Sequence, residues 1–134
     1  MKVKLFTFIL FFSLFFINNQ FAKEILIYAD NIDYDEEKNL IARGNAKLIY
    51  GKEIITSDLV IVKEKEEKVI LPIEFKYKDD EDNYYYGTSG EFSSSLDEGK
   101  INDLKMYLND GSRIVGKSAK RSDHIDIISK GVYS

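Results

Sequence analysis

His124 stands between Asp123 and Asp126 in "SDHID", and it is the one histidine of the chain. A histidine beside carboxylates is the usual start of a proton relay. No nucleophile pattern accompanies it here, so a surface histidine is the expected reading. The run "DDED" at 79–82 gathers carboxylates that would suit a divalent cation. It lacks the Asp-x-Asp-x-Asn-Gly spacing of a calcium loop and reads as a solvated turn. Arg113, Lys117, Lys120 and Arg121 make a basic cluster that could meet phosphate, although a solvated strand face is the commoner origin of such a cluster. Carboxylates are numerous enough for a glycosidase-like pair, but nothing singles out two of them. No catalytic residue, metal or cofactor is therefore expected, and the chain reads as a non-enzyme.

Composition narrows the classes further. With 134 residues the chain supports one modest domain. Cysteine is absent, which removes disulfides and thiolate metal sites; tryptophan is absent as well. Nine tyrosines and nine phenylalanines point to strands or to an apolar surface. The formal charge of −4 argues against nucleic acid as a partner. At the start, Lys2 and Lys4 precede an apolar run from Leu5 to Ile17. That run is shorter than the roughly 20 residues of a spanning helix and suits a signal-peptide core. Ala22 supplies a small residue for cleavage, so the expected division is a signal peptide over 1–22 and one exported domain over 23–134. An exported chain without cysteine is compatible with a bacterial periplasm.

What must position any site is a set of strands. "EILIYADNIDYD", "NAKLIYGKEIITSDLVIV", "EKVILPIEFKYK" and "KINDLKMYL" alternate or run apolar, rich in Ile, Val, Tyr and Phe. Polar turn clusters lie between them at 35–39, 50–53, 63–68, 79–83, 96–100 and 109–112. No sustained helical stripe appears. The expectation is an all-β domain of about ten short strands in two facing antiparallel sheets, with Pro72 at an edge or bulge.

A small-residue-plus-polar step recurs at Ala29-Asp30, Ser57-Asp58, Ser89-Gly90 and Ser118-Ala119. The interval is about 30 residues, or two strands, a spacing typical of stacked supersecondary units sharing one core. The same pattern is also compatible with a generic β-sandwich whose hairpins are alike.

Ala29-Asp30, Ile32-Asp33-Tyr34 and Gly44-Asn45-Ala46 resemble the OstA-like repeat of lipopolysaccharide transport proteins. The closing stretch, with Gly99, Ser112-Arg113, Ser118-Ala119 and Val132-Tyr133-Ser134, is similar to the segment that joins the periplasmic domain of the LPS-assembly protein LptD to its barrel. In that family a Pro-Cys pair commonly follows; here the sequence stops, as in a product truncated before the barrel. The resemblance implies an open β-jelly-roll, two antiparallel sheets splayed into a V around an apolar trough for lipid A acyl chains. It implies a periplasmic module that passes lipopolysaccharide to the outer membrane. Its partners would be other OstA-like bridge proteins, through edge-strand pairing, and an outer-membrane barrel or its lipoprotein partner.

Strand alternation supplies candidates for the trough lining. Ile32, Tyr34, Ala46, Leu48, Val60 and Val62 share the even-numbered face. A one-residue slip near Pro72 adds Phe75 and Tyr77, and Phe92, Leu104, Met106 and Leu108 continue the face. Residues 25–30 and 125–132 are the candidate edge strands. An exported β-sandwich scaffold or adhesion protein with a closed core is the alternative, and a small secreted hydrolase a distant third.

Overall fold

The computed structural model describes residues 24–122 and 125–133; residues 1–23, which include the expected signal peptide, and Asp123, His124 and Ser134 lie outside them. The described residues form twelve strands: β1 (Ile25–Tyr28), β2 (Asn31–Tyr34), β3 (Leu40–Tyr50), β4 (Glu53–Lys63), β5 (Lys68–Leu71) and β6 (Phe75–Lys78), then β7 (Tyr84–Gly87), β8 (Ser89–Ser93), β9 (Gly99–Tyr107), β10 (Arg113–Ser122), β11 (Ile125–Ser129) and β12 (Val132–Tyr133). All pairings are antiparallel, and the described residues contain no helix. The six polar clusters all carry chain reversals, as charged and small residues at hairpin tips dictate.

The number of strands exceeds the expected ten because the chain makes eight traverses and bends in the middle of each. Ladder pairing lapses at Ala29-Asp30, Gly44-Asn45, Asp58, Pro72–Glu74, Thr88, Asp103, Lys117 and Lys130-Gly131. These lapses form one crease that divides the molecule into two half-sheets. The first contains β1, β6, β7 and β12 with the adjoining halves of β3, β4, β9 and β10. The second contains β2, β5, β8 and β11 with the other halves. The recurring small-residue step marks the crease on alternate traverses. Pro72, which has no N–H to give a ladder, is exposed where β5 ends.

Side chains explain why the chain bends where it does. Gly44 has φ +78°, Asn45 φ +47° and Asp103 φ +53°, conformations that interrupt a pleat. The Asp30 N–H donates to the Gly44 carbonyl at 2.9 Å, and Asn45 Nδ2 donates to Asp30 Oδ2 at 3.1 Å. Across the next traverse, Ser57 Oγ donates to the Glu74 carbonyl at 2.7 Å, and Thr88 Oγ1 to Asp103 Oδ2 at 2.9 Å. The Ala-Asp and Gly-Asn pairs of the sequence are thus the two sides of one joint.

On β4 and β9 the crease also changes which parity faces inward. On β4 the buried residues run Ile55 and then Val60 and Val62; on β9 they run Ile101 and then Leu104 and Met106. The half-sheets therefore present their apolar sides to each other. Phe92 of the second packs edge-on against Tyr77 and Phe75 of the first, at ring centroid separations of 5.5 and 6.1 Å.

Candidate functional site

The inward face of the first half-sheet is a continuous row across all eight traverses: Ile27, Leu48, Ile55, Tyr77, Tyr85, Met106, Ile114 and Tyr133, each opposite the next in register. A matching row crosses the second half-sheet from Tyr34 through Leu40, Val62, Val69, Phe92 and Gly99 to Arg121 and Asp126. Ala46, Leu48, Val60, Val62, Phe75, Tyr77, Phe92, Leu104 and Met106, all expected to face a trough, lie together in the buried cluster between the half-sheets, and Leu108 packs against it. Ile32, opposite buried Ala42, and Tyr34, at the end of the second row, sit on the edge strand β2, 43% and 65% exposed. In this structure the interior is filled by its own side chains. Its apolar cavity, lined by residues that include Phe92, Ile101, Leu104 and Ile128, has a volume of about 20 Å³, enough for one water.

Sequence reasoning missed Ala42, Ile55, Val69, Leu71, Tyr85, Leu96 and Ile101, which complete the same cluster. It also misplaced Arg121. Arg113, Lys117 and Lys120 are exposed, as a solvated strand face requires, but Arg121 turns inward with its side chain only 13% exposed. The reason is alternation: Lys120 and Arg121 are neighbours on β10 and must face opposite sides.

Arg121 closes the lips of the fold, the ends of the half-sheets farthest from the crease. Its Nε donates to Asp126 Oδ1 at 2.8 Å and its Nη2 to Asp126 Oδ2 at 3.2 Å, both groups belonging to the second half-sheet. Reaching across, Nη1 donates to the Tyr77 hydroxyl at 2.9 Å and Nη2 to the Tyr85 hydroxyl at 2.8 Å. Tyr77 donates in turn to Glu53, and Tyr85 to Asp79 Oδ2 at 3.1 Å. The two rings stack at 5.1 Å with the guanidinium over both. Burial pushes both phenols well above their usual range, Glu53 adding to it at Tyr77. Burial works against the Arg121 charge, but its bond to Asp126 and the two phenols outweigh that and hold it firmly protonated.

"DDED" divides between two roles. Asp79 is buried, and its Oδ1 accepts the N–H groups of Glu81 and Asn83, each at 2.9 Å. Asp80, Glu81 and Asp82 are exposed, as a solvated turn requires. Among the described residues no group of His, Asp and Glu side chains has the arrangement of a metal site.

The architecture has a counterpart of known structure. LptH of Pseudomonas aeruginosa, the LptA-homologous periplasmic component of the lipopolysaccharide transport device, superposes with a TM-score of 0.67 over 79% of this chain and 82% of its own. The fold is an LptA-like β-jelly-roll. Identity over the superposed residues is 16%, so the likeness lies in the architecture. No family model matches the sequence, and no curated protein matches it.

Proposed function

We propose that this chain is a periplasmic lipopolysaccharide-transport module that takes lipid acyl chains between its half-sheets and passes them towards the outer membrane. The observation that carries the reading is the inward apolar row, which runs unbroken from β1 to β12 in a fold shared with LptH. Such a row could shelter hydrocarbon along the whole length of the domain while headgroups stay in water. Each methylene removed from water contributes about 0.8 kcal/mol. The lining is the set Ile32, Tyr34, Ala46, Leu48, Val60, Val62, Phe75, Tyr77, Phe92, Leu104, Met106 and Leu108. Exposed apolar side chains at both ends, Tyr28 and Tyr34 at one and Ile127 and Val132 at the other, suit edge-to-edge pairing with other OstA-like proteins. The closing stretch favours the amino-terminal part of LptD over a free carrier, with residues 1–22 as its export signal, residues 23–134 as the domain, and a barrel or its lipoprotein as the final recipient. The role is that of a carrier and not of an enzyme.

A photo-crosslinking amino acid tests this. At Leu48, Val60 or Leu104 it should capture lipopolysaccharide in cells; at Lys47, Ile61 or Lys105, which face outward, it should not. The packed interior favours one rival, an exported β-sandwich scaffold with a permanently closed core. That rival predicts capture at neither set.

A further inference from the structure

The outer side of the crease carries side chains that the interior does not use. Where ladder pairing lapses, the outer surface opens into two depressions of about 620 and 390 Å³. Asn45, Ser57 and Asp58 line the larger, Thr88 and Asp103 the smaller, and both share Glu74, Phe75 and Tyr86. Tyr86 therefore stands between them. Alternation puts it there: in the run Tyr84-Tyr85-Tyr86 the middle ring turns inward to Arg121, so its neighbours turn out. Tyr86 and Tyr107 are 37% and 41% exposed and meet edge to face at a centroid separation of 5.6 Å, leaving ring surface open to a ligand.

One outward row crosses both depressions. Lys47, Thr56, Lys76, Tyr86 and Lys105 lie each opposite the next on β3, β4, β6, β7 and β9. A lysine thus stands on every second strand, about 10 Å from the next. Asp58, Glu74 and Asp103 line the same depressions at the crease. The lining carries three lysines and three carboxylates, and among the described residues none of the six is ion-paired. Balanced charge gives no net field to hold a polyanion or an anionic membrane. It sets donors beside acceptors, to which Asn45, Thr56, Ser57 and Thr88 add neutral hydroxyl and amide groups. A sugar presents the complement: hydroxyls that both donate and accept around its rim, and C–H groups on its faces that settle on an aromatic ring.

We infer that this outer trench binds an uncharged, extended oligosaccharide, with sugar rings on Tyr86 and Tyr107 and hydroxyls bridging the lysines to the carboxylates. From β3 to β9 the trench crosses four strand spacings, about 19 Å, which is too long for one sugar and suits a short run of them. The site goes beyond the acyl-chain reading and does not depend on it, because its charged and tyrosine side chains point away from the interior.

Nuclear magnetic resonance titration of the isotope-labelled protein with chitotetraose and with cellotetraose tests this. The amide signals of Lys47, Thr56, Tyr86 and Lys105 should shift together and saturate at millimolar concentration or below with at least one of the two. No saturable shift with either sugar overturns the site, and so does saturation confined to other residues. Tyr86→Ala, a change at a solvent-facing position, should weaken binding at least fivefold with the melting temperature unchanged. Tyr28, an exposed ring of the same sheet face outside both depressions, is the control, and Tyr28→Ala should leave the affinity as it was. Equal losses report unspecific contact with exposed rings and overturn the proposal. Lys105→Met breaks the charge balance without touching a ring and should weaken binding at least threefold. An unchanged affinity in either the Tyr86 or the Lys105 variant overturns it. Binding of a heparin tetrasaccharide or of phosphatidylglycerol vesicles in place of the neutral sugars identifies a polyanion or membrane site and overturns it as well.

Discussion

Arg121 and Tyr85 come from opposite half-sheets, yet they are joined at 2.8 Å with the guanidinium lying over the phenol ring. The contact ties the two lips at a point where each half-sheet otherwise ends. Removing the cation leaves two largely buried phenols, and the solvent-facing Asp126 carboxylate, without their shared donor. Arg121→Met should therefore cost on the order of 3 kcal/mol of unfolding free energy. Arg121→Lys, which keeps the charge but not the fork, should recover part of that. Urea denaturation of the two variants reads the difference, and equal losses would show that a cation without the planar fork recovers nothing.

The phenols give a pH signature. Tyr77 and Tyr85 hold their protons above the usual tyrosine range in the folded state, chiefly because burial disfavours the phenolate. A raised folded value means that the native state keeps protons the unfolded chain has lost. Stability from these groups is thus complete below about pH 10 and falls as pH rises beyond it. Absorbance titration should show these two tyrosines ionising only as the protein unfolds; early ionisation of all tyrosines would refute the buried arrangement.

At the crease, Gly44 should be intolerant of a side chain. A Cβ there would lie 2.7 Å from Asp30 Oδ2, on a backbone with φ +78°. Gly111, with φ +91°, has nothing within 4 Å of the same construction. Both alanine variants carry the conformational cost of about 1 kcal/mol. Gly44→Ala should lose clearly more, and thermal melts of the pair isolate the clash.

Two turns share one design but differ in burial. Asp35 Oδ1 accepts the N–H groups of Glu37 and Asn39, each at 2.9 Å, as Asp79 does for Glu81 and Asn83. Asp35 is exposed, whereas Asp79 also serves the Tyr85 hydroxyl. Asp79→Ala should cost about 1–3 kcal/mol, because it strands buried donors. Asp35→Ala, in a fully solvated turn, should cost distinctly less. Comparable values would mean that the turn, not the burial, sets the cost.

Much of this fold is legible in the sequence because β-sheet alternation is a local property. The run 40–50 shows its inward face directly, and the polar tips between traverses announce the reversals. The crease was visible only as a recurring small residue. That the chain bends there depends on partners on neighbouring traverses, such as Asn45 with Asp30, fifteen residues away. Ile55 escaped because its parity is set on the other side of Asp58 from Val60. Arg121 was hidden in a run of cations, and alternation from Lys120 was the available clue. Leu96 offered one apolar letter in a serine-rich turn, with nothing local to say which way it points.

The crease has a mechanical consequence. All eight traverses bend along one line, so separation of the lips is a rotation about a single axis. About five residues lie between axis and lip on each side, a lever of about 16 Å. A rotation of about 15° then parts the lips by about 4 Å, the thickness of one layer of hydrocarbon. Ladders within each half-sheet ride along unbroken, and the work falls on the joint residues and on the Arg121 bridge. Such a motion widens a slot along the full length of the domain instead of boring a local hole, so cargo admitted at the lips would be free to slide from one edge strand to the other.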